Sequence, residues 1–72
     1  MNITNELQAK IIDDIKYKLL SHFEIDNYSV VISWFKSEEL YKCFYKDNQH
    51  NIATKIENSN LDNIIQELRG VV

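Results

Sequence analysis

The chain reads as an α+β protein of order α-β-β-β-α, a two-layer sandwich with both helices on one face of a three-stranded antiparallel sheet. Three observations predict this. Apolar residues recur at helical spacing near both ends of the chain, its middle carries runs of β-branched and aromatic residues, and polar turn clusters separate those runs. At 72 residues it forms one domain spanning 1–72. A chain this short buries only about 60–65% of its unfolded surface, so its stability is modest.

The first helix is predicted over residues 4–23. Leu7, Ile11, Ile15 and Leu19 recur every four residues, Ile12 and Phe23 widen the stripe, and Glu6, Lys10, Asp13 and Tyr17 lie opposite. Thr4 or Asn2 is placed to cap it, and Glu6 with Lys10 and Asp14 with Lys18 stand in the favourable i,i+4 order. A turn at Asp26-Asn27 leads into a first strand, Tyr28 to Phe35. Lys36 to Glu39 breaks it, and Leu40 to Lys46 forms the second. Asp47 to Asn51 is a turn cluster, and Ile52 to Glu57 alternates as a third strand. Ser59-Asn60-Leu61-Asp62 is a capping sequence for a second helix, in which Leu61, Ile64, Ile65 and Leu68 share a face until Gly70 stops it.

Two lysines fix which way the central hairpin faces. A four-residue loop at 36–39 pairs Trp34 with Tyr41, Ile32 with Cys43 and Val30 with Tyr45, one wholly apolar face. Slipping the register by one would push Lys42 and Lys46 beneath the helices, at a cost of several kcal/mol if they stayed charged. The opposite face then carries Val31, Phe35, Leu40 and Phe44 side by side, rimmed by Ser29, Ser33, Lys42 and Lys46. A contiguous aromatic group on an uncovered face, with polar residues around it, is the composition of a contact surface. The alternative is that a long loop, or a chain end such as Val71-Val72, folds over it. Glu38 and Glu39 stand at the hairpin tip beside the patch, where acids either remain solvated or steer the protein toward a basic groove on its partner.

Composition narrows the function classes. Eleven acids against eight bases give a net charge of −3, spread along the chain with no basic block, so binding to a phosphate backbone starts at a disadvantage. Lys42 and Lys46 interleaved with Tyr41, Phe44 and Tyr45 make the one basic-aromatic pattern, but alternation leaves only Phe44 on the lysine face of that strand. Cys43 has no partner for an internal disulfide, which points to a reducing, cytoplasmic setting. Charges interrupt every apolar run, so neither a signal peptide nor a membrane span is expected. His22, Cys43 and His50 match no metal-ligand spacing, and Asp13 and Asp14 point about 100° apart on a helix. A core thiol is a poor nucleophile, and the single Gly and absent Pro leave nothing for a phosphate loop or nucleophile turn. No catalytic residue, metal or cofactor is expected. Ten Ile, eight Asn and seven Lys against one Arg are residues of A- and T-rich codons, as in low-GC bacteria, their phages and their plasmids.

The α-β-β-β-α order is similar to that of double-stranded-RNA-binding domains. That family grips phosphates with a basic start to its last helix, whereas Ser59-Asn60-Leu61-Asp62-Asn63 holds no Lys or Arg, so its RNA function does not carry over. In size, acidity, cysteine poverty, AT-rich composition and element order the chain also resembles small phage anti-CRISPR proteins. That resemblance implies stoichiometric inhibition of a nuclease by occupying one of its surfaces, without chemistry. The expected function is a non-enzymatic binding module that docks on a larger protein, a nucleic-acid-handling defence nuclease in the narrowest form. Accessory or immunity-type binding, or a homodimer through the same face, is the alternative class, and a nucleic-acid binder the third.

Overall fold

The computed structural model describes residues 3–72, and its element order is α-β-β-β-β-α. Helix α1 spans Asn5–Lys18, strands β1 to β4 span Leu20–Ile25, Tyr28–Phe35, Leu40–Asp47 and Ile52–Asn58, and helix α2 spans Leu61–Arg69. The strands form one antiparallel sheet in the order β1-β2-β3-β4. The α+β class holds, but the sheet has four strands where the sequence predicted three.

The extra strand comes from the C-terminal end of the predicted first helix. Thr4 caps α1 by accepting the Leu7 N–H at 3.1 Å, while Asn2, the other expected cap, lies outside the described residues. The helix then ends five residues early. Leu19 takes a left-handed conformation (φ 59°, ψ 19°), donates its N–H to the Ile15 carbonyl at 3.0 Å and accepts the Trp34 N–H at 3.1 Å. Beyond it Ser21, Phe23 and Ile25 turn inward while Leu20, His22 and Glu24 turn outward, the period of a strand. Phe23 is buried as predicted, though through the sheet and not through a helical stripe; Ile12, counted in that stripe, is partly exposed. Asp14 pairs back with Lys10 at 2.7 Å instead of forward with Lys18, and also accepts the hydroxyl of buried Ser21 at 3.1 Å. These bonds hold its carboxyl below the ordinary range, the Lys10 hydrogen bond first.

Pairing energy explains why the strand wins. Without β1, the eight-residue β2, rich in Val, Ile, Trp and Phe, would be an unpaired apolar edge. Asp26 and Asn27 form a two-residue turn joining β1 to β2, with Ile25 opposite Tyr28 and Asp26 at φ 53°, a conformation Asp tolerates.

The central hairpin has the predicted register. Val30 opposes Tyr45, Ile32 opposes Cys43, and Trp34 opposes Tyr41, whose rings tilt together at 4.6 Å. Helix α1 lies over β1 and β2, and α2 over β3 and β4, both on this inner face. Ile11, Ile15, Ile64, Ile65 and Leu68 from the helices meet Phe23, Ile25, Val30, Ile32 and Cys43 from the sheet. Asn60 caps α2 through the Asp62 N–H at 2.9 Å. Near its end, Arg69 ties the two ends of the chain together, donating to the Ile3 carbonyl at 2.8 Å and to the Gln8 side chain.

Candidate functional site

The outer face is built by strand alternation acting on four strands. Each residue directed away from the helices has a neighbour across the sheet, so the face is a lattice of cross-strand rungs. One rung is Phe35 and Leu40; the next is Leu20, Ser33, Lys42 and Glu57; the third is His22, Val31, Phe44 and Lys55; the fourth is Glu24, Ser29, Lys46 and Ala53. All four apolar residues expected here, Val31, Phe35, Leu40 and Phe44, lie together on the two central strands. Phe35 is 36% exposed and Phe44 44%, while Val31 and Leu40 are half-buried between their neighbours.

Among the described residues no chain end covers this face. Val72 is buried on the helix side, its N–H on the Leu68 carbonyl at 2.9 Å, so the Val71-Val72 cover that the sequence allowed is not formed. Leu20 is about half exposed and extends the apolar surface toward β1, a contribution hidden by reading 4–23 as one helix.

Lys42 is the charge nearest the centre, and it is neutralised in place. Its ammonium lies 2.6 Å from Glu38 and 3.8 Å from Glu57, and 4.5 Å from the centroid of the Phe35 ring. The side chain is only 16% exposed. The Glu38 hydrogen bond, outweighing the opposing effect of burial, raises its affinity for the proton above the ordinary lysine value. A lysine over an aromatic ring with carboxylates at its head is a closed cation–π and ion-pair cluster. Glu38 is therefore folded back onto the face, a contact with Lys42 that neither expectation for the tip acids, solvation or steering, included. Glu39 alone of the pair remains at the tip without such a contact, exposed and left-handed at φ 53°. Lys46 is exposed at the rim, and Lys55 pairs with Glu57 at 3.1 Å.

The other chemistry-bearing residues do not converge. Cys43 is fully buried on the inner face, and burial, helped by the charge of Glu67, pushes its thiol up to about 12. His50 and Asp47 lie 2.7 Å apart in the β3–β4 turn, where Asp47 also accepts the N–H groups of Gln49 and His50. The His50 side-chain hydrogen bond, before these, lowers the Asp47 carboxyl. Among the described residues no three His, Cys, Asp or Glu side chains come together as metal ligands, and no pocket is formed. No helix of the described residues is long and apolar enough to cross a membrane. The element order α-β-β-β-α, on which both family resemblances drew, is not the order observed. No family model, curated protein or solved structure matches the chain.

Proposed function

We propose that this protein is a non-enzymatic binding module that docks on another, larger protein through the outer face of its sheet. One observation carries the reading. The face presents two apolar pairs, Val31 with Phe44 and Phe35 with Leu40, on either side of the Ser33–Lys42 rung, and the Lys42 charge is already compensated by Glu38 and Glu57. A protein interface core favours aromatic and aliphatic side chains and disfavours free charge. A phosphate backbone needs the opposite, free cations whose neutralisation releases counterions. Lys42 is engaged within the chain, Lys55 shares Glu57, and the chain as a whole is acidic. Protein docking is therefore favoured over nucleic-acid binding.

The narrower reading makes the partner a nucleic-acid-handling nuclease of a bacterial defence system, blocked by occupation of one of its surfaces. It draws on the net charge of −3 and the AT-rich composition. Titrating the protein into the cleavage reactions of such nucleases tests it: inhibition that saturates at one equivalent supports it, and unchanged cleavage at excess opposes it.

The broader reading is tested with the double variant Phe35→Ser/Phe44→Ser. Wild-type protein on a resin retains its partner from a bacterial lysate, and the variant, folded by circular dichroism, retains none. A partner held equally by both removes the outer face as the docking surface, and so does a variant that fails to fold.

A further inference from the structure

We infer that, before a target engages it, the outer face is occupied by a second copy of this chain. The inference rests on the docking role of that face and adds the identity of its first occupant. The apolar centre consists of two cross-strand pairs, Val31 with Phe44 and Phe35 with Leu40, arranged about the midline between β2 and β3. A two-fold axis along that midline, lying between two facing sheets, sets each pair onto the same pair of the other copy. Val31 meets the other Phe44, and Phe35 meets the other Leu40. This is the self-complementarity an isologous interface requires.

The charges follow the same symmetry. The rotation lays β1 of one copy over β4 of the other. Glu24 shares a rung with Ser29, Lys46 and Ala53, so it comes to lie over the other Ala53, flanked by the other Lys46 and Lys55. One carboxylate of each copy thus lies beside lysines of its mate, twice per dimer. Lys42, already compensated, opposes the other Ser33 and carries no unpaired charge into the contact. Leu20 over Glu57 and His22 over Lys55 are the poorer matches. Like the Glu24 contact, both lie at the outer strands, where two right-twisted sheets packed at about −30° diverge, so that only long side chains such as those of Glu24 and Lys46 reach across.

Area sets the strength. Four strands about 4.8 Å apart and up to eight residues long cover roughly 500 Å² per copy, or about 1,000 Å² buried in total. That is the threshold for a specific interface, so the dimer is reversible and yields to a target with a larger matching surface.

Sedimentation equilibrium from micromolar to millimolar protein tests this. The full chain passes from 8.6 kDa toward twice that mass as concentration rises. Phe44→Ser abolishes the transition, Glu24→Lys weakens it roughly tenfold through two symmetry-related contacts, and Glu24→Lys/Lys46→Glu restores it. Carbodiimide coupling of mixed heavy- and light-isotope protein joins Glu24 to Lys46 or Lys55 between differently labelled chains. A chain that remains monomeric at millimolar concentration overturns the inference. A dimer indifferent to both Phe44→Ser and Glu24→Lys overturns it as well, by placing the contact elsewhere. Neither result touches the docking reading, which falls if the Phe35→Ser/Phe44→Ser variant still retains the target or fails to fold.

Discussion

The two faces of the sheet are made by the same strands and the same alternation, yet they are held in opposite states. On the inner face Val30, Ile32 and Cys43 are completely buried beneath α1 and α2, and their packing is the stability of the molecule. On the outer face Val31 and Phe44, each one position along from a core residue, stay half-buried or exposed, and none of the described residues folds over them. A sheet with one face in water ordinarily places polar residues there. Here the two central strands carry Val31, Phe35, Leu40 and Phe44 instead, with one polar rung, Ser33 and the neutralised Lys42, between the two pairs. The difference teaches that apolar content on a strand has two distinct uses, and that parity alone separates them.

The comparison breaks most readily on the inner side. Ile32→Ala removes fully packed methyl groups and costs about 2–5 kcal/mol. A chain of this length has on the order of 4–11 kcal/mol in all, so a large fall in thermal midpoint or outright unfolding is expected by circular dichroism. Unchanged melting would mean that the inner face is not the core.

A second effect arises from Cys43. Its folded-state thiol titrates at about 12, above the ordinary 9.0, so the folded state holds this proton where the unfolded chain has released it. The corresponding stability is fully present below pH 9 and is lost as pH rises toward about 12. Denaturant melts across that alkaline range show the decline, and Cys43→Ala removes the part due to the thiol.

On the outer side, Phe35→Ser and Phe44→Ser each cost about 1 kcal/mol or less, since strand propensities span only that range. Their melting curves stay near wild type while partner retention is lost. Stability and binding thus separate by face. Leu19→Gly has the smallest effect. It relieves a left-handed leucine, worth about 1–2 kcal/mol, but returns about 0.5–1 kcal/mol in chain entropy. A net gain of about 0–1.5 kcal/mol in chemical denaturation is expected.

The legibility of the sequence differed between regions for a physical reason. The β2–β3 hairpin was readable because Lys42 and Lys46 make the wrong register costly, and Trp34 with Tyr41 anchor the right one. The α1–β1 junction was not, because Leu19 and Phe23 continue the four-residue spacing of Leu7, Ile11 and Ile15 while belonging to different elements. The signal that resolves it is the pair Asp26-Asn27. A two-residue turn before a strand is a hairpin connection, and it calls for a strand on its other side. Ser21, Phe23 and Ile25 supply that strand's inward period. Leu20, His22 and Glu24 on the outer face were missed with it. The closure of Glu38 onto Lys42 was beyond sequence reading, since it depends on how the 36–39 loop folds back.

Parity at two adjacent positions is the most direct measurement. Thiol labelling under native conditions, at a protein concentration low enough to keep the chain monomeric, compares Cys43 with a thiol introduced by Phe44→Cys in a Cys43→Ala background. Cys43 should react only as fast as the protein unfolds, and the position-44 thiol at nearly the rate of the denatured chain. Equal protection of both would mean that the outer face is covered, and rapid labelling of Cys43 would mean that the two faces are exchanged.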